Sequence, residues 1–397
     1  AQTAAAFIVL APFVTRRWRR AGAVTIVVMV IARLVVSVHL PADVLLALPI
    51  GATAGCAVLL AFGRPDRRPT PSAIAAALRL GGLRVTDVEA ASVDARGSTP
   101  YFATLDDGGR LFVKVLGEEE RAADLLFRGY RFLRFRDIGD ERPFGSLRRT
   151  VEHEALVSLA ARDVDVVTPR LRTVAGVGDA MLLAYDAVDG SSVDGLADEA
   201  VTDELMRRVW GQIDLLRTHR IAHRDLRRAN VFVDEHQTPW MIDFGFSELA
   251  ADQPLLAADI AQMLASFAVV VGPERAVDAA VDVVGAEAVA EALPRLQLRA
   301  LSGATQEALR ARKGLLADLR DEVARRCDVR SVEMVQLERL NRNTIITIAV
   351  LVGAVYFLLP QFADLPTIVD EVKSANWAWT PAIVAMSLVT YLGAAIS

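Results

Sequence analysis

The chain has 397 residues, 53% of them hydrophobic and 23% charged, with a formal charge of −5 and a mean hydropathy of +0.33. That is too apolar for an ordinary soluble enzyme, too charged for spanning helices alone and too rich in apolar residues for a solvated chain, so a mixture is expected. The acidic balance supplies no general basic surface, so no nucleic-acid partner is expected. Cys56 and Cys327, far apart in the chain, form neither a disulfide framework nor a zinc site.

In chain order, Ala4–Val14 is a short apolar stretch, and both chain ends read as cut. Ala21–Val38 carries one charge, Arg33, and Pro41–Phe62 carries one, Asp43. Both approach the roughly 20 apolar residues that cross a bilayer. Asn343–Ala363 and Asn376–Ser397 do the same with no charge. Arg16, Arg17, Arg19 and Arg20 put the first turn in the cytoplasm; Arg64, Arg67 and Arg68 return the chain there, as basic flanks do. Arg339 and Arg342 close the long middle region on the same side. The expected location is a multi-pass cell membrane protein whose middle region is cytoplasmic, with membrane lipid as a partner.

Arg33, His39 and Asp43 form R-x5-H-x3-D at the outer ends of two of these helices. Charges at membrane depth are expensive and tend to be functional. The run from Ala32 to Leu45 resembles the last motif of type 2 phosphatidic acid phosphatases, with Ala32 where that family has Ser. The resemblance implies that His39 attacks phosphorus, Asp43 orients it and Arg33 holds phosphate oxygens. The family's earlier motifs do not occur between Ala1 and Arg33, so residues 1–63 read as a fragment of such a domain. Residues 64–72, rich in proline, read as a linker.

From Val85 the pattern changes to short strands. Tyr101–Leu105 and Arg110–Leu116 flank Asp106-Asp107-Gly108-Gly109, a hairpin signal. Lys114 sits within the second strand, either as an edge charge reaching solvent or as a buried ammonium with an anionic partner. Further on, His223-Arg224-Asp225-Leu226-Arg227-Arg228-Ala229-Asn230 precedes an apolar strand, a turn, and Trp240-Met241-Ile242-Asp243-Phe244-Gly245. Phosphoryl transfer needs one carboxylate for the acceptor hydroxyl, and an Asn and a second carboxylate for Mg²⁺ on the phosphates.

These residues resemble the protein kinase superfamily: H-R-D-x-x-x-x-N and D-F-G are both complete. The resemblance covers roughly residues 80–330. It implies an α+β two-lobed kinase-like domain, about 73–335, between α-helical transmembrane segments, with ATP and Mg²⁺ as cofactors. Lys114 would meet the ATP phosphates and Glu154 would hold Lys114, with Glu152 and Glu89 as competitors. Asp225 would be the base, and Asn230 and Asp243 the metal ligands. His223 and Arg224 would support the loop.

The glycine-rich loop is absent, so phosphate cradling would fall to the backbone amides of Gly97, Ser98 and Thr99. There is no A-P-E after Asp243, and a helical pattern starts almost at once around Leu255, with Asp259 capping it or tying it down. That resembles the aminoglycoside phosphotransferase, lipopolysaccharide kinase and RIO-type branches, which favour small-molecule, sugar or lipid acceptors. A lipid, polyprenol or glycan hydroxyl is the expected acceptor. Residues 343–397 resemble the start of a lysylphosphatidylglycerol synthase-type, flippase-like membrane region, or serve as a plain anchor. The alternatives are a non-catalytic nucleotide-binding domain that regulates its membrane neighbours, or a full-length protein whose main activity is lipid-phosphate hydrolysis.

Overall fold

The structure, a computed structural model, describes residues 1–35, 41–63, 68–91, 98–117, 146–329, 346–347, 350–354 and 386. The chain divides into two units, Ala1–Asp66 with Asn341–Ser397, and Arg67–Leu340.

In the first unit, α1 (Gln2–Leu10) packs on α3 (Pro41–Phe62), and α2 (Arg16–Val35) lies beside α1. Glycine permits the close approach: a Cβ on Gly55 would fall 2.7 Å from Ile8 Cβ, and one on Gly22 2.7 Å from Phe7 Cε2. Small residues at four-residue spacing, Gly51 and Gly55, let helix backbones meet in this way. Outward, α2 exposes Val24, Val27, Val28 and Ile31, and α3 exposes Leu46, Ile50, Leu60 and Phe62. Most of the two apolar stretches expected at Asn343–Ala363 and Asn376–Ser397 lies outside the described residues.

The second unit opens with α4 (Pro71–Leu80), capped by Thr70, whose hydroxyl accepts from Ala73 N at 3.3 Å. Its buried residues Ile74, Ala75, Ala77 and Leu78 form one face, the helical period of an amphipathic segment. Strands β1 (Val85–Ala90), β2 (Thr99–Leu105), β3 (Arg110–Leu116), β4 (Leu171–Val177) and β5 (Ala180–Asp186) form an antiparallel sheet in the order β1-β2-β3-β5-β4. The hairpin turn between β2 and β3 uses Gly108 at φ 82°, where a side chain would be strained. Leu111 and Val113 pack with Ile74 and Leu78; a fully buried Ile or Leu contributes roughly 2–3 kcal/mol. Strand alternation turns Phe112, Lys114 and Leu116 the other way. There α5 (Leu147–Asp163) joins Leu116 and Leu183 through Val151 and Ala155.

The helical part follows. Strands β6 (Gly190–Ser192), β7 (Val231–Asp234) and β8 (Pro239–Met241) make a small antiparallel sheet. Helix α6 (Asp203–Thr218) is capped by Thr202. Helix α7 (Gln253–Val271) is capped by Asp252, whose carboxylate accepts from Leu255 N at 3.2 Å. Around α7 stand α8 (Pro273–Val284), α9 (Ala286–Ala292), α10 (Gly303–Ala311) and α11 (Leu315–Arg326). Trp210 of α6 and Phe267 of α7 centre this core, their rings 6.3 Å apart. Neighbouring helices explain why α7 is mostly apolar and buried over nearly its whole length. Among the described residues it is the one helix long and apolar enough to cross a membrane, yet 78% of its apolar window is buried inside the unit. The fold of the second unit is thus α+β, with the sheet and α5 preceding the helices in the chain.

Candidate functional site

Strand β3 is internal, paired with β2 through Pro100↔Lys114 and with β5 through Lys114↔Leu183. The edge-strand alternative for Lys114 therefore does not apply; its side chain is 11% exposed. Glu154 lies on the face of α5 that packs on the sheet, and Lys114 Nζ donates to its Oε1 at 2.9 Å and Oε2 at 3.1 Å. Of the two competitors, Glu152 pairs with Arg148 and Glu89 with Arg110. Lys114 Nζ also donates to Asp243 Oδ1 at 2.6 Å.

One ammonium thus bridges two carboxylates from three separate elements. Burial alone would depress the Lys114 pKa; Asp243, then Glu154, outweigh it and raise it above the ordinary lysine value. Burial acts against the Asp243 carboxylate too, but Lys114, His223 and Arg227 hold it below its usual range. Glu154 is pushed up by burial, with Lys114 opposing. The phenol of Tyr185 on β5 shares hydrogen bonds with Glu154 and Ser158, and burial followed by Glu154's charge pushes it well above its ordinary value.

Asp243 sits at φ 66° and Arg224 at φ 64°, left-handed conformations that cost non-glycine residues about 1 kcal/mol or more each and cluster at functional sites. The loop around Arg224 is held from several directions. Asp259 of α7 accepts from His223 N at 2.5 Å and Arg224 N at 2.8 Å. His223 is fully buried, and its Nε2–H donates to Ile242 O at 2.9 Å, leaving Nδ1 with no hydrogen-bond partner among the described residues. Ser247 Oγ donates to His223 O at 3.1 Å, and His153 Nε2 donates to Ser247 O at 2.8 Å.

In the same loop Asn230 Nδ2 donates to Asp225 O at 2.7 Å and to Asp225 Oδ2 at 3.0 Å. Arg227 Nε lies 3.3 Å from that same Oδ2. Ile242 N donates to Asn230 O at 3.0 Å, so the β7–β8 hairpin returns the chain beside the loop it left.

Lys114, Glu154 and Asp243 thus meet in one cluster, and Asp225 with Asn230 forms a second, joined to the first through the Ile242–Asn230 bond. Asp259 does not cap α7; Asp252 does, and Asp259 grips the backbone of the loop. Ser98 is described, half-buried in the bend before β2, while Gly97 lies outside the described residues. In the first unit Arg33 and Asp43 line a common cavity of about 350 Å³ with Ile26, Met29, Val30 and Ala47. His39 lies outside the described residues. A cavity of about 850 Å³ lies away from the cluster, lined by Arg162, Asp186, Asp189, Glu235 and Trp240 among others.

Tyr185, Arg227 and His153 are the members that motif reading missed. Arg227 stood inside the quoted motif and could have been flagged as a charge two residues from Asp225. Tyr185 and His153 carry no sequence signal, since only strand and helix packing brings them in.

Asn230 uses its amide nitrogen on Asp225, which leaves its carbonyl oxygen for a cation; Asp243 adds a carboxylate that is 26% exposed. This is an all-oxygen donor set, which suits Mg²⁺. Among the described residues no group of three or more His, Cys, Asp or Glu could hold a metal ion, so further ligands would come from phosphate oxygens and water. Compared with models of known protein families, the chain matches none.

Proposed function

We propose that the chain is a membrane-bound, ATP- and Mg²⁺-dependent phosphotransferase of kinase-like type acting in lipid or cell-envelope metabolism, joined to a lipid-phosphate phosphatase-like unit. The observation that carries this reading is the Lys114–Glu154–Asp243 cluster beside the Asp225–Asn230 pair. Lys114 would exchange Asp243 for phosphate oxygens of ATP. Asp225 would accept the proton of the acceptor hydroxyl, and Asn230 would orient the Asp225 carboxylate. Mg²⁺, held by Asn230 and Asp243, would offset charge on the phosphates. The exposed valines, isoleucines and leucines of α2 and α3 support a membrane setting, since apolar patches of this kind are covered by lipid or a partner.

The test is Asp225→Asn in the full chain in detergent. Loss of a general base costs about 100-fold or more, so ATP turnover should collapse while ATP still binds. Turnover equal to wild type would sink the assignment. A second reading, nucleotide binding without turnover, draws on the 2.6 Å Lys114–Asp243 pair, which occupies one of the two oxygens a cation would use. A phosphatase role for the full-length protein draws on the shared Arg33–Asp43 cavity.

A further inference from the structure

The loop that carries Asp225 forms one wall of a cavity of about 220 Å³, lined by Asp194, Arg227, Arg228, Ser266, Ser302 and Thr305 among others. Arg227 links it to the reacting carboxylate, with its Nε 3.3 Å from Asp225 Oδ2. Arg228 is 15% exposed and has Asp194 Oδ1 at 3.1 Å, but Asp194 is itself 55% exposed, so water screens the pair.

The opposite wall is fixed by Gln262. Its Nε2 donates to Ser266 Oγ at 3.0 Å and Thr305 Oγ1 at 2.9 Å, and its Oε1 accepts from Ser302 N at 2.7 Å. Ser302 Oγ lies 3.0 Å and Ser266 Oγ 3.4 Å from Thr305 Oγ1, so these hydroxyls bond one another and one O–H hydrogen of the three is left to donate. The cavity therefore sets guanidinium groups and one hydroxyl donor around a space smaller than the ~300–1,000 Å³ of drug-sized pockets. A phosphate group and a few carbons fit it; a nucleotide does not. Guanidinium groups bind phosphate through paired, charge-assisted hydrogen bonds.

We propose that this cavity is the acceptor subsite, and that the acceptor is a phosphate-bearing alcohol, its phosphate on Arg228 and its free hydroxyl at Asp225. The inference rests on the phosphotransferase reading and names its substrate class. The hydroxyl oxygen would form the new bond to the γ-phosphorus while its proton passes to the Asp225 carboxylate. The bond from the γ-phosphorus to the bridging oxygen would break, and ADP would leave with that electron pair.

The test uses the full chain in detergent, with ADP release measured for glycerol and glycerol 3-phosphate, and for phosphatidylcholine vesicles carrying phosphatidylglycerol against the same vesicles carrying diacylglycerol. A phosphate-bearing alcohol should exceed its uncharged counterpart in kcat/KM by about tenfold or more. Preference for glycerol 3-phosphate indicates a soluble source and preference for phosphatidylglycerol a lipid headgroup; either supports the subsite. Arg228→Gln should bring the ratio towards one. Asp194→Asn, which removes the competing carboxylate, should widen it, an outcome that misfolding does not produce. ATP turnover that charged and uncharged alcohols stimulate equally or not at all, or a ratio indifferent to both substitutions, would overturn the subsite alone. Absence of both ATP binding and turnover would remove the phosphotransferase reading, and this inference with it.

Discussion

Two carboxylates near His223, Asp259 buried and Asp243 half-buried, behave in opposite ways. Asp243 faces Lys114, and its pKa is held below the ordinary carboxylate range. Asp259 receives two backbone N–H groups of the loop, yet burial pushes it up to about 6. The difference lies in the partner: a full positive charge overcomes desolvation, while the N–H dipoles, with His223 and Arg224, offset it only in part. The first contact is ionic, and under the proposed function it would exchange for phosphate and metal. The second is a fixed tie that sets the loop on α7.

The largest expected effect breaks the fixed side. Asp259→Ala leaves the N–H groups of His223 and Arg224 without their acceptor in a buried site; at about 1–3 kcal/mol each, the variant should lose about 3–5 kcal/mol. Denaturant unfolding checks this, and a loss below about 1 kcal/mol would contradict the tie.

Titration sharpens the same contrast. Because folding raises the Asp259 pKa from 3.8 to about 6, the folded state binds the extra proton, and this group's stabilising contribution is fully present below pH 3.8. It is lost as pH rises through about 6, a change of about 3 kcal/mol. Asp243 runs the other way: its contribution is present above 3.8 and is lost as pH falls through its lower folded value. Measured between about pH 4 and about pH 7, the stability difference between wild type and Asp259→Asn should shrink as pH rises. Parallel curves would contradict it.

On the ionic side, Glu154→Gln removes the buried one of the two carboxylate partners of Lys114. Asp243 still compensates the ammonium, so the cost should be about 2 kcal/mol rather than the ~3–5 of a fully broken buried pair. KM for ATP should rise, because Lys114 is then drawn to Asp243; an unchanged KM would detach Glu154 from the site. The smallest effect is expected at Gly245→Ala, whose Cβ would fall 3.1 Å from Glu154 Oε2. A shift of a few tenths of an ångström in that carboxylate should cost about 1 kcal/mol.

The sequence carried the local parts of this arrangement and not the contacts between them. The β2–β3 hairpin was legible because Asp and Gly mark the turn and alternation marks the strands. Asp225, Asn230 and Asp243 were legible because their motifs are short and contiguous. The burial of Lys114 was not, since alternation fixes a face but not whether a strand is internal. The choice of Glu154 over Glu152 and Glu89 depended on which face of α5 meets the sheet. Asp259 read as a residue of its own helix because its partners, His223 and Arg224, lie in a distant loop. Helix α7 shows the limit of hydropathy: its apolar surface matches a membrane span, and the packing of four neighbouring helices accounts for it instead.

The most direct measurement is ATP binding and turnover by the full chain, with and without Mg²⁺, in wild type and Asp243→Ala. Turnover that requires Mg²⁺ and disappears in the variant is the expected result. Turnover that persists without Mg²⁺ or survives Asp243→Ala would contradict a phosphotransferase site built on Lys114, Asp225, Asn230 and Asp243.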